Sequence, residues 1–216
     1  MGSLVRTELS IVFVLLLSLF HLKCHGIEEV KGYPASVNCA TQECAPYKVI
    51  QSQKEFEIRV YNNSTWVSSP VTTSASYKDA VRDGFITLFN YVRGYNRAKV
   101  NWNMTAPVLT EILPKSSFQV YFYLPKKLQN NPPPPYENQH ITPVKLPRKK
   151  FGAVTRFSGY LDDANIAAGL STLKKNLKGT PWQSASASSD YSAADYNPPY
   201  QVKDRVNEVI LWFDKN

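Results

Sequence analysis

"SYKDAVRDGFITLFNYVRGYN", residues 76–96, decides the fold. Its apolar residues Tyr77, Ala80, Val81, Phe85, Leu88, Phe89 and Val92 recur three and four apart, which predicts an amphipathic helix. Ser74 or Ser76 supplies an N-cap, and Gly94 a left-handed end. On the N-terminal side, 47–61 and 65–73 predict paired strands around the Asn62–Ser64 turn. On the C-terminal side, "AKVNWNMTAPVL" (98–109) and "FQVYFYLP" (118–125) alternate apolar and polar residues as strands do. In 98–109 the alternation puts Val100, Trp102 and Met104 on the inward face of a barrel, with Pro107 at a strand end or edge.

The second half repeats this order. "HITPVKLPR" and "FGAVTRFSGY" predict strands, and "DDANIAAGLSTLKKNLKG" (162–179) a helix capped by Asp162 or Asp163 and closed by Gly179. A polar stretch that contains a strand follows, and "NEVILWF" (207–213) is the last strand. Two strand–strand–helix–strand–strand units, about 47–129 and 137–213, therefore predict an α+β fold. It is a distorted antiparallel β-barrel of two pseudo-symmetric halves with two helices packed outside. Between the halves, "NNPPPPY" (130–136) is a stiff exposed break in which four prolines remove four amide donors. It is a loop first and a docking site for a proline-binding domain second.

The ends set the compartment. Arg6, an apolar run from Leu9 to Phe20 and the small residue Gly26 fit a secretory signal peptide over 1–26, and the run is too short for a spanning anchor. Residues 27–46 are an irregular extension. Without Cys24, two cysteines remain, Cys39 and Cys44, and in an oxidising compartment they pair. Asn62, Asn63 and Asn103 head N-glycosylation sequons. The net charge is +8, but its basic residues are scattered apart from Arg148-Lys149-Lys150, which argues against nucleic acid as a partner. Only His140 survives signal removal, so neither a zinc site nor a Ser-His-Asp site is supported, and no elbow motif surrounds a serine. The expectation is a non-enzyme.

Several stretches in order, "FEIRVYNNSTWVSSPV", "AVRDGFITLFNYVRGYN", "NMTAPV", "PPPPY" and "YNPPYQVKDRVNEVILWF", resemble the SOUL heme-binding protein family from about Tyr47 to Phe213. That resemblance implies a single domain over 47–213 that binds heme or free porphyrin non-covalently. The binding cleft lies between the first helix and the loop before the last strand. Carried over, the positions are Arg82, Phe85 and Phe89 on the helix, Tyr200, Gln201, Val202 and Lys203 in the loop, and Arg205 beside it. Phenylalanines suit the ring and cations suit two propionates. Each has a plainer reading too: Phe85 and Phe89 as core, the cations as solvated surface, Tyr200 as packing for the turn. Some members carry a histidine, proposed as an iron ligand, where this chain has Val60, so heme or protoporphyrin binds here without that axial ligand. His140 and Met104 are weak substitutes. Two other functions stay open: an enzyme on the same barrel with Glu208 as acid or base, and a secreted interaction protein with a vestigial pocket.

Overall fold

The computed structural model describes residues 31–214, so the signal peptide expected over 1–26 lies outside the described residues. Ten strands form one antiparallel sheet. They are β1 (Tyr47–Ser52), β2 (Glu57–Tyr61), β3 (Ser64–Ser68), β4 (Thr72–Thr73), β5 (Val108–Leu113), β6 (Ser117–Tyr123), β7 (Thr142–Leu146), β8 (Phe151–Phe157), β9 (Tyr191–Asp195) and β10 (Asn207–Phe213). Two helices, α1 (Tyr77–Val92) and α2 (Asp163–Leu177), cover one face. The spatial order is β1-β2-β8-β10-β9-β5-β6-β3-β7, with β4 beside β6. The edge strands β1 and β7 do not pair with each other, so the curled sheet is a half-barrel.

β5 and β9 pair at the centre of this order. Outward from β5 run β6, β3 and β7; outward from β9 run β10, β8 and β2. Exchanging the halves maps one series onto the other. Each half thus sends its opening segment to the outer side of the other half's strands: the β1–β2 hairpin pairs with β8, and β7 with β3. This corrects the expected local pairing: 47–61 is itself the β1–β2 hairpin, and β3 pairs with β6 and β7 rather than with β2. Asn62 and Asn63, both exposed, sit where the chain crosses between halves.

The segment 98–105 is not a strand. β5 starts at Val108, and before it only Ala106 makes an isolated bridge, to Cys44. Trp102 does not fill the barrel. It packs edge-on against Tyr91, ring centroids 5.3 Å apart, in the layer under α1, with Met104 in the same cluster. Val100 is exposed and so is Asn103. The alternation is real, but the polar atoms at 96–100 are satisfied locally. Asn96 donates to the Tyr91 and Val100 carbonyls and accepts from the Val100 N–H, so no ladder partner is needed.

Alternation along the true strands separates two cores. The concave face carries Trp66, Leu109, Tyr121, Tyr123, Val154, Ile210 and Trp212. The convex face carries Val67, Val120 and Phe122 under α1, and Ile58, Ala153 and Leu211 under α2. α1 begins as expected: the Ser76 hydroxyl accepts the Asp79 N–H. Both Asp163 carboxylate oxygens accept the Tyr77 N–H at 3.1 Å, which ties the start of α2 to that of α1 and sets an anion at the positive helix end. Asp162 caps α2 reciprocally with Asn165. α1 approaches β6 closely at Gly84, where an added Cβ would lie 2.6 Å from a Val120 methyl.

Cys39 and Cys44 form a disulfide. Its loop docks on the start of β5, where the Ala45 N–H donates to the Ala106 carbonyl and the Ala106 N–H to the Glu43 carbonyl. Both cysteines and Ala45 pack on the concave core. The extension is thus a lid on the open side of the half-barrel. The proline loop is laid on the chain itself: Pro133 is buried and accepts from the Tyr91 hydroxyl, and Pro134 accepts the Arg97 N–H.

Candidate functional site

A cleft opens on the convex side, beside the N-terminal half of α1. One wall is the helix edge Lys78, Val81, Arg82, Phe85 and Ile86, and the other is Tyr160 and Leu161 ahead of α2. Val108 of β5 forms part of the floor, and Asp195, Asn197, Pro199 and Arg205 bring in the loop before β10. Its volume is about 290 Å³, at the lower end of the range of small-molecule sites. No histidine, methionine or cysteine lines it among the described residues.

Of the predicted residues, the cleft brings together Arg82, Phe85 and Arg205. Phe85 is half-buried, stacked on Phe89 at 5.6 Å and edge-on to Phe122 at 5.3 Å. It therefore joins the core and the cleft at once. Phe89 stays one turn along, outside the lining, with the Arg93 guanidinium over its ring. Arg82 is exposed and makes only loose surface pairs with Asp79 (3.4 Å) and Asp83 (3.3 Å), which leaves it free to take another anion.

Tyr200, Val202 and Lys203 project into solvent just past Pro199, next to the cleft but not in its wall. Tyr200 is 84 % exposed and Val202 72 %. In the cleft walls, Ile86 and Tyr160 are each about half exposed. Gln201 is half-buried and holds the turn: its amide donates to the Lys203 carbonyl and its carbonyl accepts from Asn38 of the extension at 3.3 Å.

Arg205 is almost wholly buried. It donates to the carbonyls of Gly159, Pro198 and Gln201 and to Asp195 at 2.7 Å, and its guanidinium lies over the Tyr160 ring. It staples the two loops that make the far wall, rather than standing free at the rim. Burial raises the Asp195 carboxyl above its ordinary range, against the lowering pull of the Asn197 N–H and Arg205.

Lys78, Val81, Ile86, Tyr160 and Leu161 were not among the predicted positions. Lys78 and Val81 were legible, because they stand four residues before Arg82 and Phe85 on one helix edge. Tyr160 and Leu161 had no such signal, since their loop meets α1 only through tertiary packing.

Glu208 lies elsewhere, on the concave face, and is fully buried. Both oxygens accept from Arg59 at 2.8 Å, one also from Arg156 at 2.6 Å, and the Tyr196 hydroxyl donates at 3.0 Å. Burial alone would raise its carboxyl, but the Arg59 and Arg156 charges and hydrogen bonds outweigh that and hold it below the ordinary range. Arg59 in turn donates to Glu57 at 2.6 Å. Val60, between Arg59 and Tyr61, points to the other side of β2 from both by strand alternation.

Fold and cleft together define a small-molecule-binding α+β protein built on a two-fold half-barrel, with an apolar cleft at one helix. Residues 42–212 match the family model described as SOUL heme-binding protein, and the chain belongs to that family. Among its relatives, mouse (Mus musculus) "Heme-binding protein 2" is 29% identical, covering 77% of this chain and 82% of that one. Mouse "Heme-binding protein 1" is 31% identical over 64% and 74%. The human (Homo sapiens) "Heme-binding protein 2" is 30% identical over 72% and 77%. A solved hydrolase from Listeria innocua aligns at 6% identity with a TM-score of 0.43, covering 76% of this chain and 94% of that one. That likeness is too remote to inform the chemistry.

Proposed function

We propose that this protein binds heme or a related tetrapyrrole non-covalently, in the cleft between α1 and the loops ahead of α2 and β10. The observation that carries this is the apolar cleft wall, where Ile86 and Tyr160 are each about half exposed, with Tyr200 and Val202 exposed in the turn that follows its Pro199. Apolar side chains gathered in water at a concave site are the signature of a ligand surface. The family and its relatives named for heme support the ligand class. Lys78 and Arg82 are exposed cations in the cleft wall and Lys203 is one in the turn beyond Pro199, suited to the two propionates. Without a histidine, methionine or cysteine in the lining, the affinity rests on apolar contact and charge, and metal-free porphyrin binds as well as heme does.

Titrating hemin or protoporphyrin into the protein tests this: a saturable Soret shift is expected, and Arg82→Glu combined with Lys203→Glu weakens it about tenfold. Saturation by that double variant at wild-type concentrations would refute the cationic rim. The protein acts as a binder or carrier, not an enzyme. Glu208, the carboxylate best placed by sequence for acid–base work, has both oxygens committed to arginines. It is secreted, with residues 1–26 removed; N-terminal sequencing of the mature chain is expected to begin near Ile27. The Cys39–Cys44 disulfide suits that compartment.

A further inference from the structure

The half-barrel has a second hollow, on the concave face. Its walls are aromatic and aliphatic: Tyr61, Trp66, Tyr121 and Trp212, with Leu109 and Ile210. The cavity is separate from the cleft. Val108 and Leu109 are consecutive on β5, yet Val108 lines the cleft and Leu109 the cavity; Asp195 and Tyr196 divide in the same way. No residue lines both. Its volume is about 160 Å³, close to that of an apolar cavity known to hold one benzene ring.

The polar groups around it are unevenly used. The two carboxylates are each paired: Glu111 accepts from Arg148 at 2.9 Å and from the Tyr121 hydroxyl at 2.6 Å, and Asp190 accepts from Lys149 at 2.6 Å. The donors are not. The Tyr47 hydroxyl has no hydrogen-bond partner among the described residues, and that of Tyr61 receives only a 3.5 Å contact from Arg59. Ser192 accepts the Trp212 indole N–H at 2.9 Å, and its own proton has no acceptor among the described residues. Burial raises both Tyr47 and Tyr61 above the ordinary phenol range, so both keep their protons. Arg148 and Lys149 stand at the mouth with donors left over, since each makes a side-chain ion pair with only one carboxylate.

A hollow with spare donors, carboxylates already paired with cations and room for one ring asks for a ring that carries acceptor oxygens. We propose that the concave cavity is a second ligand site, distinct from the tetrapyrrole cleft, that takes a monocyclic aromatic carboxylate. The ring lies among Trp66, Tyr61 and Trp212, and the carboxylate accepts hydrogen bonds from the tyrosine hydroxyls and from the cations at the mouth.

Benzoate is the probe, titrated calorimetrically into the full-length mature chain, with acetate as the ringless comparison. One-to-one saturation is expected with Kd below about 1 mM, and none with acetate. Ala45→Trp fills the mouth from the lid and is expected to weaken benzoate at least tenfold while leaving protoporphyrin affinity unchanged. Tyr61→Phe removes one donor and is expected to weaken benzoate about threefold to tenfold; it decides the matter alone if Ala45→Trp does not fold. Absent saturation in the wild type overturns the proposal. So does wild-type benzoate affinity in a folded variant of both kinds, or displacement of benzoate by protoporphyrin. Because the protoporphyrin titration runs separately, failure here leaves the cleft's function untouched.

Discussion

At the scale of single residues, the most consequential contact is that between Glu208 and Arg59, 149 positions apart in sequence and both fully buried. Removing Glu208 leaves Arg59 with Glu57 alone and takes from Arg156 its one carboxylate partner among the described residues, so Glu208→Gln is expected to cost about 3–5 kcal/mol of stability at pH 7. The pH dependence has a definite sign. The folded protein holds the Glu208 carboxyl below its unfolded value, so the stabilisation is complete above about pH 4.3 and is lost as pH falls through the folded pKa. Urea unfolding of the Gln variant should show a shallower loss of stability from pH 5 to 3 than the wild type, and an equally steep loss would contradict the assignment. Asp195 has the opposite sign: its carboxyl is raised, chiefly by burial, so ionising it costs stability as pH rises from the unfolded value through the folded one. None of this was legible in the sequence. "NEVILWF" reads as a strand from its apolar run, but nothing local shows that its Glu208 will meet the arginine of "EIRVY".

At the scale of elements, α1 sets the cleft, and its seat on β6 depends on Gly84. A Cβ there would lie 2.6 Å from Val120 and 3.0 Å from the Ser69 hydroxyl, so Gly84→Ala must shift the helix or the strand. Thermal melts should show a loss of about 1–3 kcal/mol, and wild-type stability would mean that the helix is less tightly seated. The disulfide lid is a smaller matter. Its loop is short, so Cys39→Ser with Cys44→Ser is expected to cost about 1–2 kcal/mol in the loop-entropy model. Elements whose signals are local were legible: both helices with their caps Ser76 and Asp162, and β10 at 207–213. The stretch 98–105 was not. It alternates like a strand, but Asn96 satisfies the Val100 backbone and Trp102 is claimed by Tyr91. Period alone cannot tell an extended segment laid under a helix from a strand in a ladder.

At the scale of the whole molecule, the two-fold pattern was legible and its interlacing was not. The order of elements repeats, yet β2 belongs to the sheet of the second half and β7 to that of the first. Neither half owns a complete sheet, so fluorescence and far-UV circular dichroism should report one coincident unfolding transition. Fragments 31–129 and 137–214 should each be unfolded alone; a cooperative melt of either would contradict the interlaced reading. Of the site, the helix edge and Arg205 were found through the family resemblance, whereas Tyr160 and Leu161 came only with the tertiary packing. The central claim is that this apolar cleft holds a tetrapyrrole. The most direct measurement is a protoporphyrin titration, followed by fluorescence, of the wild type beside Ile86→Asp, a change at an exposed position in the cleft wall. Saturable binding by the wild type, weakened at least tenfold in the variant, is the predicted result; no saturation in the wild type, or equal affinity in both, would contradict it.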